Sequence, residues 1–214
     1  MNLVLDLDET LIKSFHYKIS YINEIKLKSR QYKLSLINIF PELRYILLPN
    51  DSFDNFYLTD FIINDTIYII IKRPYLKEFI DIMYNKFKLT LYSVATKYYV
   101  DIIVNEIGKL LGYNPFISVF SNINRYSPKV KSLSMINLDH NKSVIIDDNI
   151  HVWKDNKNKI YQIPPFIGYH KKVYNNECFI CKLFGYSDYK YIINDNELEK
   201  IIKFNLLSSI INNY

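Results

Sequence analysis

The chain has 214 residues, 49% hydrophobic and 23% charged, with a formal net charge of +5. This length buries a real core but leaves little room for two independent domains, and the composition excludes a disordered chain. The basic balance suits an acidic ligand without requiring one, and the sequence contains no apolar run long enough to span a membrane, so a soluble intracellular protein is expected.

Leu3-Val4-Leu5 is a short apolar run that ends in carboxylates, the pattern of a buried parallel strand whose carboxyl end presents a site. From Lys13 to about Thr66 periodicity fades, apart from Tyr45-Ile46-Leu47-Leu48 and a turn signal at Pro49-Asn50-Asp51. Residues 13–66 therefore read as an insertion with short strands, within a single domain over 1–214.

Regular alternation of strands and helices is expected from Ile67-Tyr68-Ile69-Ile70-Ile71 onward. Pro74 opens a helix to about Phe87, with Leu76, Phe79, Ile80 and Met83 at helical spacing. A strand at Leu89 to Tyr92 follows. Thr96 then caps a helix to Leu111, stopped by Gly112, and Phe116 to Phe120 is the next strand. A short helix from Val130 to Ile136 leads into Ser143-Val144-Ile145-Ile146, which ends in a second carboxylate pair, Asp147-Asp148. A strand at Lys159 to Ile163, a loop through Pro164-Pro165 and a helix from Asn196 to Ile211 complete the reading. The order implies an α/β fold, mostly a parallel sheet flanked by helices, with its site at the carboxyl edge.

Two aspartates two residues apart beyond a buried strand can divide labour, one bonding to phosphorus and the other handling protons. Attack of a carboxylate on a phosphate monoester brings anions together, so a cation is needed, and Mg²⁺ suits oxygen-only ligands. Asp148 can supply a further carboxylate to the metal, with Asp147 orienting a metal-bound water. Taken alone, Asp-x-Asp is as readily a cap or turn; the company it keeps decides.

Leu3 to Ile12, with Asp6-Leu7-Asp8-Glu9-Thr10 at its centre, resembles the nucleophile motif of the haloacid dehalogenase superfamily, and within it the D-x-D-x-T phosphatases of the RNA polymerase II C-terminal domain. Lys72-Arg73-Pro74 with Glu78-Phe79 resembles the family's Arg-Pro segment. Leu91 to Tyr99 is similar to its second motif, with Ser93 where Thr is usual; Lys131-Ser132-Leu133-Ser134 resembles the third, and Val144 to Trp153 the fourth. The trailing Val152-Trp153 favours the larger, TFIIF-associated branch over the small phosphatases.

The resemblance implies a Rossmann-like haloacid dehalogenase fold and a Mg²⁺-dependent protein serine/threonine phosphatase working through an aspartyl-phosphate. Asp6 would be the nucleophile and Asp8 the acid and then base. Ser93, Lys131 and Thr10 would bind phosphate; Asp6, Asp8, Asp148 and Asp147 would form the metal site. Arg73 would touch substrate or serve structure. The implied partner is a phosphorylated peptide, with the polymerase tail favoured and nucleic acid disfavoured. The compartment would be nuclear for such a substrate and cytoplasmic for a viral protein.

Alternatives from other classes are a nucleic-acid end phosphatase, which the charge suits, and a phosphopeptide-binding adaptor without turnover. Three departures stand out. The insertion does not align, Asn122-Ile123-Asn124-Arg125 offers no acidic counterpart upstream of Lys131, and little chain follows the final helix, as expected for a bare catalytic module. Cys178 and Cys181 form a lone C-x-x-C and read as structural, with a zinc site completed by His170 or His151, outside the usual ligand spacing, as the alternative. Among the aromatics, Tyr98, Tyr99 and Tyr126 receive no role, and Trp153 is expected to pack beneath the site.

Overall fold

The structure, a computed structural model, describes residues 1–18, 57–122, 130–166 and 195–204. Cys178, Cys181, His170, Arg125, Tyr126 and most of the 13–66 insertion lie outside the described residues. In chain order the strands are β1 (Asn2–Leu5), β2 (Ile12–Lys18), β3 (Tyr57–Ile63), β4 (Thr66–Lys72), β5 (Lys88–Thr96), β6 (Phe116–Asn122), β7 (Ser143–Asp147) and β8 (Ile160–Gln162). The helices are α1 (Leu76–Tyr84), α2 (Lys97–Leu111) and α3 (Glu197–Phe204).

Contacts divide the chain into two compact units. The first comprises Met1–Lys13, Lys72–Phe166 and Asn196–Tyr214 and holds a five-stranded sheet in the order β6-β5-β1-β7-β8. Each neighbouring pair is parallel, with Leu5 opposite Leu91 on one side and Ile146 on the other. This is the sheet expected from the alternating pattern. β1 is central because Leu3, Val4 and Leu5 are all apolar and fully buried, as a strand covered on both faces requires. The chain runs outward from β1 through β5 to β6, then crosses back to β7, so the carboxyl end of β1 lies at a topological switch point.

α1 buries Leu76, Phe79, Ile80 and Met83, the four residues whose spacing marked the helix. Its start falls two residues after Pro74 because Tyr75 takes a left-handed conformation (φ 62°), and it stops at Tyr84 rather than Phe87, with Asn85 as its cap. α2 has Thr96 at its N-cap, although the hydroxyl makes no capping bond, and Gly112 closes it at φ 85°. That φ is one an L side chain adopts only under strain. α2 lies against β5 and β6, and α1 against β5 and α3.

Two expectations require correction. Ile67 to Ile71 reads as the start of the parallel alternation, yet β4 pairs antiparallel with β3 in a separate three-stranded sheet, β2-β4-β3, of the second unit. The cause is local: Asn64 and Asp65 both take positive φ, 47° and 56°, forming a two-residue turn that folds β4 back on β3. The helix expected over Val130 to Ile136 is reduced to a single 3₁₀ turn, Ser134–Ile136. Lys131 is instead bridged to Trp153, donating from its backbone N–H to Val152 and accepting from Lys154. The Ser132 hydroxyl accepts the N–H of Ser134, a local bond that competes with helix. No helix among the described residues is long and apolar enough to cross a membrane.

Candidate active site

Asp6 follows β1 directly. Its backbone N–H donates to Ile146 O at 3.0 Å, which continues the β1–β7 ladder and brings Asp6 level with Asp147 at the end of β7. Lys131 reaches in between them. Its Nζ donates to Asp6 Oδ1 at 2.5 Å and to Asp147 Oδ2 at 2.8 Å, and the residue is 1% exposed. Tyr92 and Trp153 lie beneath the ammonium, with ring centroids 5.8 and 5.6 Å from Nζ, and a cluster including Val4, Leu133 and Ile145 supports those rings.

Asp147 is fully engaged. Oδ1 accepts the N–H of Asn149, and Oδ2 accepts the indole N–H of Trp153 as well as Lys131. Asp148 is tied at one end only: Thr10 Oγ1 donates to Oδ1 at 2.9 Å and accepts the Asp148 N–H at 3.1 Å. Among the described residues no side chain or backbone group bonds to Oδ2 of Asp148 or to Oδ2 of Asp6. Thr10 is completely buried and spends its hydroxyl on Asp148, whereas the family resemblance assigns it to phosphate.

Donor atoms of Asp6, Asp147 and Asp148 all lie within 4.8 Å of one another. Three buried or half-buried carboxylates thus gather where a single ammonium pairs with two of them, an excess of negative charge that a hard divalent cation would relieve. The electrostatics carry the same signature. Burial pushes the Asp6 carboxyl up to about 8 against the pull of Lys131, and Asp148 up to about 6 against its bond from Thr10. Burial works against the charge of Lys131, but Asp6 and Asp147 outweigh it and hold its pKa above the ordinary lysine value.

Asp8 sits two residues on. Its Oδ1 accepts the hydroxyl of Tyr99 at 2.5 Å, and burial raises its pKa while that hydrogen bond lowers it. Ser93 lies in β5, two residues past the partner of Leu5; it is 2% exposed, and its Oγ accepts the N–H of Ala95 rather than bonding to the cluster. Arg73 is 1% exposed and faces carbonyls: Nη1 donates to Glu9 O and Thr10 O, and Nη2 to Pro164 O. It stands over the Phe166 ring and secures the turn in which Glu9 holds a φ of 65°.

The structure therefore brings together two bonded groups, Lys131 with Asp6 and Asp147, and Thr10 with Asp148, with Arg73 donating to the Thr10 carbonyl and Asp8 and Ser93 held by other partners. Tyr99 and Trp153 are polar contributors that the sequence reading left without a chemical role. Their signal was available only as position: Tyr99 at the end of the second motif, in the first turn of α2, and Trp153 at the end of the fourth.

Comparison with curated protein sequences finds no significant match. Among solved structures, Fcp1, described as an essential RNA polymerase II CTD phosphatase, aligns over 79% of this chain and 44% of its own, at 22% identity and a TM-score of 0.52. A fission yeast Fcp1 bound to beryllium fluoride aligns over 98% of this chain and 56% of its own, at 20% identity and a TM-score of 0.49. The chain thus spans about half the length of these structures, and the first likeness shows the fold. The family profile of NLI interacting factor-like phosphatases matches residues 1–189. The chain belongs to the NLI interacting factor-like phosphatase family.

Proposed function

We propose that this chain is a metal-dependent protein phosphatase that hydrolyses phosphoserine or phosphothreonine through an aspartyl-phosphate on Asp6, with the RNA polymerase II tail as the favoured substrate. The observation that carries the reading is the pair of hydrogen bonds that Lys131 donates to Asp6 and Asp147 at the carboxyl edge of the sheet, with Asp148 in the same cluster. Family membership supports the reaction class. The polymerase tail as substrate is supported by the motif resemblance and by the name of the first structural neighbour.

Asp6 attacks phosphorus in line with the leaving oxygen. The bond between phosphorus and the serine oxygen breaks, and Asp8 gives that oxygen a proton. A water then bonds to phosphorus as Asp8 takes its proton, and the electron pair returns to Asp6. Lys131 neutralises the equatorial oxygens, and Ser93 retains a hydroxyl proton to donate to them. Asp6, Asp148 and the Asp8 carbonyl would hold Mg²⁺, which when bound offsets the charge of nucleophile and phosphate. Asp147, with both oxygens occupied, orients Lys131, and Thr10 orients Asp148.

Purified protein with Mg²⁺ should release phosphate from phosphorylated tail heptads in preference to a 3′-phosphorylated oligonucleotide. Asp6→Asn should lower kcat/KM by about 10³-fold or more, since it removes the atom that forms the covalent bond. Preference for the oligonucleotide would transfer the reading to nucleic-acid ends. Absence of turnover on heptads, oligonucleotide and aryl phosphate alike would leave a binding role only.

A further inference from the structure

Tyr99 is a buried aromatic with a buried polar handle at the edge of the site. It projects inward from the first turn of α2 and is 6% exposed, while its neighbour Tyr98 is 62% exposed. Phenylalanine would fill the same volume, so apolar packing does not explain the hydroxyl. That hydroxyl donates to Oδ1 of Asp8 at 2.5 Å, within the range of a charge-assisted bond. Asp8 lies on the loop after β1 and Tyr99 on the helix after β5, so the bond joins residues 91 positions apart.

We infer that Tyr99 is a positioning residue for proton transfer, occupying Oδ1 of Asp8 so that Oδ2 is the oxygen that carries and delivers the proton. The inference rests on the assignment of Asp8 as acid and base made above. The terminal torsion of an aspartate is broad and roughly two-fold, so an untethered carboxyl presents either oxygen to the substrate. A donor fixed on one oxygen removes that degeneracy. In the first step the electron pair of the bond between phosphorus and the serine oxygen moves onto that oxygen, which takes the proton from Asp8 Oδ2 as Asp6 bonds to phosphorus. In the second, water returns a proton to Oδ2 as its oxygen bonds to phosphorus and Asp6 leaves.

The competing explanation is that the buried phenol merely satisfies its hydroxyl on a convenient carboxylate. The two differ in their dependence on the leaving group. A serine alkoxide needs a proton to depart, whereas p-nitrophenolate departs without one. Measured as kcat/KM, which reports the first chemical step, Tyr99→Phe should lose about 10- to 100-fold on a phosphoserine peptide and less than about 3-fold on p-nitrophenyl phosphate, a part of the roughly 10²- to 10⁴-fold that general acid catalysis supplies in full.

A chain carrying 3-fluorotyrosine at position 99, which keeps both shape and donor, should retain the wild-type ratio between the two substrates. It also supplies a folded comparison if Tyr99→Phe melts early. Equal losses on both substrates in Tyr99→Phe, no loss on either, or a fluorotyrosine protein that behaves like the phenylalanine variant would each overturn the inference. Failure of the underlying reading looks different: the wild-type protein would release phosphate from neither substrate, or Asp6→Asn would match it, and the role of Tyr99 would fall with it.

Discussion

Lys131 carries the heaviest electrostatic load of any residue in the cluster. It is 1% exposed, and its ammonium is the shared donor between Asp6 and Asp147. Removing one partner of a buried ion pair leaves uncompensated charge, at a cost of about 3 to 5 kcal/mol. Lys131→Met should therefore destabilise the metal-free protein by about 3 kcal/mol or more in urea unfolding, and a loss below about 1 kcal/mol would mean that Asp6 and Asp147 do not depend on it. Trp153 contributes on a smaller scale. Its indole N–H to Asp147 Oδ2 at 2.8 Å is a buried bond to a charged group, so Trp153→Phe should cost about 1 to 3 kcal/mol in the same assay.

At the scale of elements, the turn after β1 is held by a side chain from another part of the sequence. Arg73 follows β4 and gives three hydrogen bonds to carbonyls of Glu9, Thr10 and Pro164. Lysine lacks the planar fork, so Arg73→Lys should relax the turn that carries Asp8 and Thr10. The expected result is a fall in kcat/KM of about 10-fold or more together with a lower melting temperature; unchanged kinetics would show that the turn holds without it. The end of α2 offers a cleaner test of backbone physics. A Cβ at Gly112 would meet no atom within 4 Å, so Gly112→Ala pays only for its φ of 85°, and about 1 kcal/mol of lost stability with unchanged turnover is expected.

For the molecule as a whole, the buried carboxylates make stability depend on pH and on metal. Asp6 and Asp148 are raised from 3.8 to about 8 and about 6, so the folded protein holds protons that the unfolded chain has already released. The stability these groups contribute is complete below about pH 4 and declines as pH rises toward 8. In EDTA the protein should unfold more readily at pH 8 than at pH 5.5, all else being held constant. Added Mg²⁺ should restore more stability at pH 8, where it competes with fewer protons, and EDTA should abolish turnover. A metal-free protein that grows steadily more stable from pH 5.5 to 8 would contradict the assigned burial of these carboxylates.

Much of this architecture is written locally. Apolar runs at Leu3 to Leu5 and Val144 to Ile146, each followed by aspartates, identify strands and their functional ends, because a strand covered on both faces is mainly apolar and its carboxylates emerge at an edge. The spacing of Leu76, Phe79, Ile80 and Met83 defines a helix face by the same reasoning. Which strand lies beside which is not legible in local pattern, which assigns β4 to the parallel sheet: five apolar residues look alike in a parallel core and in a hairpin, and the deciding Asn64-Asp65 turn is two residues long. Nor could spacing reveal that Tyr99 meets Asp8, that Trp153 meets Asp147, or that Thr10 closes on Asp148. Sequence alone determined the residue types and the strand ends that bear them. Tertiary structure alone decided the hydrogen-bond partners: Tyr99 and Thr10 find acceptors 91 and 138 positions away, where local pattern carries no distance information, and even Trp153, six positions from Asp147, meets it only through the path of the turn between them.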